Sequence, residues 1–319
     1  MIMDKPLVTA LVITYKAEKY IKETLDSVFC QTYDNVEVVI SDDNSPDNTF
    51  AEIKKYISEY SGTYKVTINQ NSHNLGIAGN VNKGIELSHG DYICLFDGDD
   101  IALPERIEKS VELIENYHVE GLTFNMELID SKSTHIRYFN DVISNTVDVY
   151  DIEDYIKGKY LSGGAARIIS RKLVDTFGPL SKECNTEDST YMFRTFLTGG
   201  AVFGHSPMVK YRIHDSNVSS FHGLMTRFDT KSIYNQYKRD LDIAIEKDFV
   251  TLDQYEKIDE YLTRYLYENL ALRKLYNMHN YLKRLLFVFC LLFDKHYSIN
   301  QVRALFRQIK WWHREGITN

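Results

Sequence analysis

The chain has few cysteines and no excess of positive charge. The first argues against a disulfide-stabilised protein, and the second against a nucleic-acid-binding protein. Its 319 residues include only four cysteines, at positions 30, 94, 184 and 290, which form neither a Cys-x-x-Cys pair nor a closely spaced framework. This spacing favours reduced thiols and a cytoplasmic setting. The formal net charge of −8 provides no basic footprint for phosphates, so we expect no nucleic-acid partner.

Long apolar segments are also missing. The longest uninterrupted apolar run, from Leu285 to Phe293, has nine residues and is too short to span a bilayer. The N-terminal residues Met-Ile-Met-Asp-Lys-Pro show no charged region leading into an apolar core, so we expect no signal peptide. With 44% hydrophobic and 26% charged residues, the chain has a globular composition and enough length for one large core plus an appended piece.

Apolar segments of strand length alternate with amphipathic helical segments through the first 130 residues. The strand candidates are residues 7–15, 36–40, 65–69, 92–96 and 122–129. Helical stripes lie between them, with Pro46 and Pro104 near two helix starts. The alternation predicts βαβ units with right-handed crossovers, and therefore an α/β fold with a mostly parallel central sheet flanked by helices.

The segment Tyr92-Ile-Cys-Leu-Phe-Asp-Gly-Asp-Asp100 is a buried strand candidate that ends in three carboxylates. Neighbouring carboxylates repel one another, and a divalent cation that prefers oxygen ligands, Mg²⁺ or Mn²⁺, would hold them together. Gly98 would let the backbone approach a bulky anion. Taken alone, the pattern also fits a solvated acidic turn, or a phosphohydrolase whose first Asp is the nucleophile, although Ile101 stands where such an enzyme usually has Thr.

Polar residues follow three of the predicted strands at the point where each strand ends. They are Thr14 and Tyr15, then Asp42 and Asp43, then residues 97–100. Because the carboxyl ends of parallel strands lie on one edge of a sheet, we expect these side chains to line one crevice. Such a convergent polar crevice is the default ligand site of an α/β protein.

Six motifs in this order resemble those of the inverting family 2 of nucleotide-sugar glycosyltransferases, which have the GT-A fold and build bacterial surface polysaccharides. The motifs are VITY at 12–15, QTYDNVEVVISDDNSPDNT at 31–49, NLGIAGNVNKGI at 74–85, HGDYICLFDGDD at 89–100, NTEDSTYMFR at 185–194 and YRIHDSNVSS at 211–220. The resemblance covers residues 5 to about 215. It implies a GT-A domain over residues 1–220, with a nucleotide-binding half, 1–130, and an acceptor half, 131–220. A helical C-terminal extension, 221–319, would follow.

The resemblance implies donor-binding roles for residues at the strand ends. Asp43 would accept the ring N–H of a uracil base, Tyr15 would stack on that base, and Thr14 would add backbone or hydroxyl contacts. Capping of the helix that begins near Pro46 is the alternative role for Asp43. Asp97 would hold the ribose, beside Gly98.

The remaining donor-side assignments rest on the same resemblance. Asp99 would bind the metal on the diphosphate. For Asp100 two roles stay open, binding of the sugar and capping of the next helix. Asn82, in the Asn-x-Gly element, is assigned to donor binding. Val81 stands where the family often has Arg, so one cationic contact is missing, and whether Lys83 replaces it is open.

Asp188 is the catalytic candidate, because inverting transfer needs a carboxylate that takes the proton of the acceptor hydroxyl, and the family places its base at the Asp of this Glu-Asp pair. The pair also fits an acidic first helical turn stabilised by the helix dipole. His214 matches a position that often brings an imidazole to the metal, and a structural role fits it equally well. The segment 161–167, LSGGAAR, resembles the lining of the sugar pocket.

The resemblance therefore implies a Mn²⁺- or Mg²⁺-dependent enzyme that moves a sugar from a nucleotide-sugar donor, a UDP-sugar by preference, to a glycan or lipid-linked saccharide acceptor. One alternative is a sugar nucleotidyltransferase, whose glycine-rich basic loop is missing after Tyr15. The other is a non-catalytic scaffold of an assembly complex, which the intact set Asp97, Asp99 and Asp188 disfavours.

The last hundred residues are predicted to be helical. The segments 251–254 and 298–301 have the pattern of capping boxes. The last helix carries four basic residues on one side and two tryptophans near its end: Arg303, Arg307, Lys310, Arg314, Trp311 and Trp312. This pattern fits a helix lying on an anionic membrane, which would make the protein peripheral on the inner face of the cell membrane. It fits a helical appendage or a homodimer contact with a solvated basic face equally well.

Overall fold

The structure, a computed structural model, describes residues 5–214, 226 and 229–315. The first seven elements alternate as predicted: β1 (Val8–Thr14), α1 (Ile21–Phe29), β2 (Val36–Asp42), α2 (Thr49–Glu59), β3 (Lys65–Gln70), α3 (Gly76–Glu86) and β4 (Tyr92–Asp97). The middle of the chain then forms β5 (Ile101–Ala102), α4 (Arg106–Tyr117), β6 (Gly121–Ile129), β7 (His135–Tyr138), β8 (Val147–Tyr150) and α5 (Ile152–Lys157).

A 3₁₀ turn, Gly164–Ala166, leads into β9 (Arg167–Ser170), α6 (Arg171–Phe177), α7 (Glu187–Leu197) and β10 (Ala201–Arg212). Helices follow: α8 (Thr230–Glu246), α9 (Leu252–Tyr276), α10 (Tyr281–Cys290), the 3₁₀ turn Leu291–Phe293 and α11 (Ile299–Glu315). The two predicted capping boxes are present, at Thr251–Gln254 before α9 and at Ser298–Gln301 at the start of α11.

The strands form one sheet in the order β3-β2-β1-β4-β9-β6-β10-β5, with β7 paired to β6 and β8 paired to β10. Strands β1 to β4 are parallel to one another, and β6 is parallel to β10. The short strand β9 runs antiparallel to both β4 and β6, so these two strands point the same way. The predicted mostly parallel α/β sheet is therefore confirmed, whereas the antiparallel course of β5, β7, β8 and β9 was not indicated by the sequence.

The sheet is covered by helices on both faces. Alternate residues of β1 belong to different cores: Ala10 and Val12 pack towards α1, α2 and α4, whereas Leu11 and Ile13 pack towards α3, α6 and α7. This arrangement explains why β1 is apolar throughout, since both of its faces are buried.

The helical C-terminal region has two parts. Helix α8 and the first half of α9 pack into the core of the α/β part, through residues such as Leu241 and Ile258. A buried ion pair between Arg194 Nε and Asp240 Oδ2, 2.8 Å apart, ties α7 to α8. The end of α9 forms a separate cluster with α10 and α11 around Trp312. The boundary predicted at residues 220 and 221 lies outside the described residues.

All four cysteines lie within the described residues and are free thiols. Among the helices of the described part of the chain, none combines the length and the apolar character needed to cross a membrane.

Candidate active site

The polar ends of β1, β2 and β4 meet at one edge of the sheet. Thr14 is in register with Asp42, and Ile13 with Asp97. The backbone N–H of Asp43 donates to the Thr14 carbonyl over 2.9 Å. The first residue of β9 and the last residue of β10 lie at the same edge, because β9 is antiparallel to β4 and β10 is parallel to β6. The predicted convergence therefore occurs, and it includes two further strand ends.

The Asp43 carboxylate is held by the N-terminus of α3. Its Oδ1 accepts from the Leu75 N–H (2.8 Å) and from Asn71 Nδ2 (3.0 Å), and its Oδ2 accepts from the Gly76 N–H (3.0 Å). The helix that it caps is thus α3, and not the helix near Pro46 that the sequence offered as the alternative. A carboxylate has about four acceptor positions, so one remains for a ligand N–H.

Tyr15 and Thr14 differ in access although they are adjacent. The Tyr15 side chain is 46% exposed beside the crevice, where a planar ligand could stack on its ring. Thr14 is buried, and its hydroxyl donates to Asp42 Oδ1 over 2.9 Å, so it forms the floor of the crevice.

Gly98 is required by the packing of β4 against β1. A Cβ built on Gly98 would lie 2.9 Å from Thr14 Cγ2, which is closer than carbon atoms approach in folded proteins. The structural reason for this glycine is therefore a neighbouring strand, whereas the sequence suggested only the approach of an anion.

The two predicted metal ligands lie together. His214 Nε2 is 2.8 Å from Asp99 Oδ2, and the His214 ring stacks on Tyr20 with the ring centroids 5.3 Å apart. Arg212 Nε donates to the Asp99 backbone carbonyl over 2.8 Å and so fixes the loop that carries Asp99. Within the described residues, no group of three or more His, Cys, Asp and Glu side chains is arranged to hold a metal. Asp99 and His214 are thus adjacent, and their role as metal ligands stays a prediction.

Asp97 and Asp100 sit on either side of Asp99 in different surroundings. Burial, opposed by Arg167 and reinforced by nearby Asp99, raises the pKa of Asp97 to about 6. Asp100 is buried, accepts from the Arg212 N–H over 2.8 Å, and has no partner for Oδ2 among the described residues. Burial, reinforced by the neighbouring Asp99 and Asp97, raises the pKa of Asp100 well above its usual range, and the hydrogen bond from the Arg212 N–H joins this carboxyl to β10.

Asp188 lies in the first turn of α7 against the glycine turn that precedes β9. Its Oδ1 accepts from the Ser189 N–H (2.6 Å) and the Ser189 hydroxyl (3.2 Å). A Cβ built on Gly164 would lie 2.5 Å from Asp188 Oδ2, so only glycine leaves room for this oxygen. Asp188 also contributes to the raised pKa of Asp97, which places the two carboxylates within electrostatic reach of each other.

Two buried arginines support this half of the site. The sequence analysis named Arg167 only as the end of the segment 161–167 and did not name Arg106. Arg167 donates from Nη2 to Glu187 Oε1 over 2.9 Å and from Nη1 to the Gly164 carbonyl. Arg106 Nη2 donates to the carbonyls of Ala165 and Arg167, 3.1 and 3.2 Å away, and also to the end of β4. One sequence feature could have indicated that these arginines are buried: each is followed directly by an apolar residue, Ile107 after Arg106 and Ile168 after Arg167.

Asn82 lies on the side of α3 that faces the α6–α7 connection. Its Nδ2 donates to the Leu180 carbonyl over 2.8 Å, and its Oδ1 accepts from the Leu180 N–H over 3.0 Å. Both ends of the amide are thus used by the backbone of one residue. Lys83 Nζ lies 3.2 Å from Glu86 on its own helix and does not reach into the crevice.

Asn80, two residues earlier and on the crevice side of α3, was not predicted. Its Oδ1 accepts from the Ser41 hydroxyl (2.7 Å) and from Asn71 Nδ2 (3.0 Å). Asn71 in turn donates to Asp43, so Asn80 supports the proposed base-reading carboxylate indirectly.

The fold is of the GT-A type, and comparison with known proteins identifies the family of the chain. The family model "Glycosyl transferase family 2" matches residues 9–175, and the chain belongs to this family of transferases. The "uncharacterized glycosyltransferase MJ1057" of Methanocaldococcus jannaschii is 28% identical over 240 residues, which cover 74% of this chain and 79% of that protein.

Solved structures share the fold at lower sequence identity. Staphylococcus aureus TarS 1–349 in complex with UDP-GlcNAc superposes with a TM-score of 0.58 at 16% identity, covering 97% of this chain and 92% of that chain. The mannosyltransferase PcManGT of Pyrobaculum calidifontis, in complex with GDP-Man and Mn²⁺, superposes with a TM-score of 0.55 at 15% identity, covering 97% of this chain and 81% of that chain.

Proposed function

We propose that this transferase moves a sugar, with inversion, from a UDP-sugar to a hydroxyl of a glycan or lipid-linked saccharide in surface polysaccharide synthesis, with Mn²⁺ or Mg²⁺ at the donor diphosphate. The observation that carries the proposal is the position of Asp188, at the same sheet edge as Asp97 and Asp99, with one carboxylate oxygen turned towards the glycine turn.

The donor assignment rests on the base end of the crevice. The remaining acceptor position of Asp43 suits the single ring N–H of uracil, and Tyr15 offers an exposed ring beside it. The solved relatives hold UDP-GlcNAc in one case and GDP-Man in the other, which supports a nucleotide-sugar donor without deciding the base.

The metal assignment rests on Asp99 and His214. A carboxylate oxygen and an imidazole nitrogen are both ligands that Mn²⁺ accepts, and the two atoms already lie 2.8 Å apart in this structure. These two residues would hold the cation. When bound, it would offset the negative charge that builds on the departing nucleoside diphosphate.

The protein's own contribution to the chemistry is proton transfer. Asp188 takes the proton of the acceptor hydroxyl while the hydroxyl oxygen attacks the anomeric carbon, and the bond to the nucleoside diphosphate breaks with its electron pair leaving on the phosphate oxygen. Attack from the face opposite the leaving group inverts the anomeric configuration. The neighbouring Glu187 is held by Arg167, so only one acid of the doublet is free for this role.

A panel of nucleotide sugars, each measured with Mn²⁺ and with EDTA, tests the proposal by thermal shift. A donor at about a hundred times its dissociation constant stabilises the folded state by roughly 2.7 kcal/mol. UDP-sugars with Mn²⁺ should give the largest shift, and equal shifts with adenine nucleotides or in EDTA would contradict the base and metal assignments. His214→Ala should remove most of the Mn²⁺-dependent part of the shift, while His279→Ala, an exposed histidine before α10, should not.

Binding alone does not separate an enzyme from a scaffold. Incubation of the bound donor with glycan acceptors, followed by determination of the anomeric configuration of any product, makes that distinction. Donor binding without transfer to any acceptor would favour the scaffold, and a product with retained configuration would exclude the single displacement.

A further inference from the structure

Helix α10 presents a continuous apolar stripe to solvent. Leu282, Leu286, Phe289 and Phe293 follow one another at intervals of four, three and four residues and are 72%, 64%, 51% and 81% exposed. This spacing places them on one side of the helix and the 3₁₀ turn that continues it. Single exposed apolar residues are ordinary, whereas a contiguous set of large ones marks an interaction surface.

Helix α11 already uses its own apolar side inside the protein. Val302, Leu305, Ile309 and Trp312 are buried in the cluster formed with α9 and α10. A membrane contact was one of the two roles that the sequence left open for this helix, and its apolar side is packed against protein. The outward side of α11 carries the basic stripe, formed by the exposed side chains of Arg303, Arg307, Lys310 and Arg314.

The apolar stripe of α10 and the basic stripe of α11 belong to adjoining helices. Tyr281, the first residue of α10, stacks on His313 near the end of α11 with ring centroids 4.3 Å apart. The 3₁₀ turn Leu291–Phe293 at the other end of α10 contacts α11 as well. The two helices therefore run antiparallel, side by side, and their solvent-facing sides adjoin.

The charge of this segment is opposite to that of the rest of the chain. Residues 281–314 contain seven Lys and Arg and a single Asp, a net charge of +6. Because the whole chain carries −8, the remaining residues carry −14. Asp294, the one acid, lies 2.8 Å from His296. Positive charge is thus concentrated beside the apolar stripe.

We propose that the α10–α11 face docks on an anionic lipid surface, with the apolar stripe entering the boundary between headgroups and acyl chains and the basic stripe lying among the headgroups. Charge complementarity favours this occupant over a second copy of the chain, since a two-fold contact would bring two +6 segments together. Exposed apolar side chains next to Lys and Arg are the combination by which proteins bind such surfaces. The inference concerns α10 and α11 and does not depend on the reaction in the crevice.

Sedimentation of the full chain with lipid vesicles tests the proposal. Vesicles of phosphatidylcholine alone are compared with vesicles that also contain phosphatidylglycerol. We expect binding to the anionic vesicles at least tenfold stronger than to the neutral ones, and a decrease as salt is raised. Each Lys or Arg near the surface is worth about fivefold in partitioning, so Arg303→Gln, Arg307→Gln and Lys310→Gln together should weaken binding by about a hundredfold at low salt.

The apolar stripe is tested separately with Leu286→Gln and Phe289→Gln, which change exposed side chains. This double variant should bind at least tenfold more weakly, and the binding that remains should be abolished by salt. Matched controls exchange exposed residues of the α/β part: Val142→Gln with Ile143→Gln for the apolar pair, and Lys54→Gln, Lys55→Gln and Lys65→Gln for the cations. All controls should bind like the unaltered chain.

Two outcomes would overturn the proposal. The first is equal sedimentation with neutral and anionic vesicles, or stripe variants that bind as well as their controls. The second is a chain that ignores vesicles and sediments alone as a dimer, which Leu286→Gln and Phe289→Gln convert to a monomer, because a second copy would then cover the stripe. Thermal unfolding of each variant confirms that a loss of binding is not a loss of fold.

Discussion

Arg167 Nη2 donates a buried hydrogen bond to Glu187 Oε1, 2.9 Å long, one residue before the proposed catalytic base Asp188. Successive residues of a helix point about 100° apart, so the two acids of the doublet cannot occupy the same place. The hydrogen bond from Arg167 holds Glu187 in the interior, and Asp188 is left beside Gly164. Glu187 therefore anchors the start of α7, and Asp188 faces the crevice.

Glu187 should make the protein less stable as pH rises. Burial, opposed by Arg167 and reinforced by Asp188 and Asp97, raises the pKa of Glu187 to about 8 from its ordinary 4.5. Between these values the folded state binds more protons than the unfolded state, so the free energy of unfolding falls with increasing pH. Urea unfolding between pH 5 and 8 measures this slope. Glu187→Gln should flatten it, whereas the exposed Glu112→Gln should leave it unchanged, and identical slopes in all three proteins would contradict the assignment.

Asp188→Asn should separate binding from chemistry. The amide keeps the size of the side chain but cannot take a proton, so kcat should fall by about 10²- to 10⁴-fold while donor binding stays close to normal. If Asp188 only stabilised the end of α7, the change would cost a few tenths of a kcal/mol and leave turnover intact. Asp175→Asn, an exposed acid on α6, is the matched control and should behave like the unaltered enzyme.

Gly164→Ala should displace the base without altering its chemistry. The added methyl group would lie 2.5 Å from Asp188 Oδ2, so the carboxylate must move. A displacement of about 1 Å at a reacting group can cost about a hundredfold, and we expect kcat to fall by about 10- to 100-fold with the donor KM unchanged.

A double-mutant cycle shows whether Gly164 acts through the base. If it does, the Gly164→Ala and Asp188→Asn double variant should be no slower than Asp188→Asn alone. Full additivity of the two losses would mean that Gly164 acts elsewhere. Gly62→Ala, at a turn where the atoms nearest to the added methyl group belong to the Tyr60 side chain, is the control for the effect of replacing a glycine as such.

Asn82→Ala should reduce stability and not donor affinity. The substitution removes two hydrogen bonds with the Leu180 backbone, and leaving those buried or half-buried groups unpaired costs about 1–3 kcal/mol in the free energy of unfolding. Chemical denaturation and donor titration distinguish the outcomes. A variant that unfolds normally and binds the donor more weakly would support the donor-binding role that the sequence suggested.

The sequence predicted the parts of the site that depend on local order along the chain. Asp43, Asp97 and Asp99 follow buried strands, and parallel strands bring such ends to one edge. The hydrogen-bond partners of these residues come from distant segments and were not predictable from local order. Asp43 pairs with Leu75, and Asp99 pairs with His214, which only the family resemblance had pointed out. A contact across more than thirty residues leaves no periodic signal.

The sequence also could not show which of two nearby polar residues faces the crevice. Asn80 and Asn82 are two positions apart, about 200° around the helix, and only packing decides which one faces the crevice. The direction of strand β9 could not be predicted either. Its four residues fit a strand in either direction, and only the pairing with β4 and β6 makes it antiparallel.

The reversal at β9 has a consequence for how such a chain can diverge. A parallel strand must be entered from the far edge of the sheet, by way of a crossover. Because β9 is antiparallel, the excursion that starts after Ile129 returns to the sheet at the edge from which it left, and Arg106 pins its return point to the end of β4. Within residues 130–163, β7 and β8 pair with the sheet and α5 packs into the core. The loops between these elements can therefore lengthen or shorten over generations without any shift of Asp43 or Asp97.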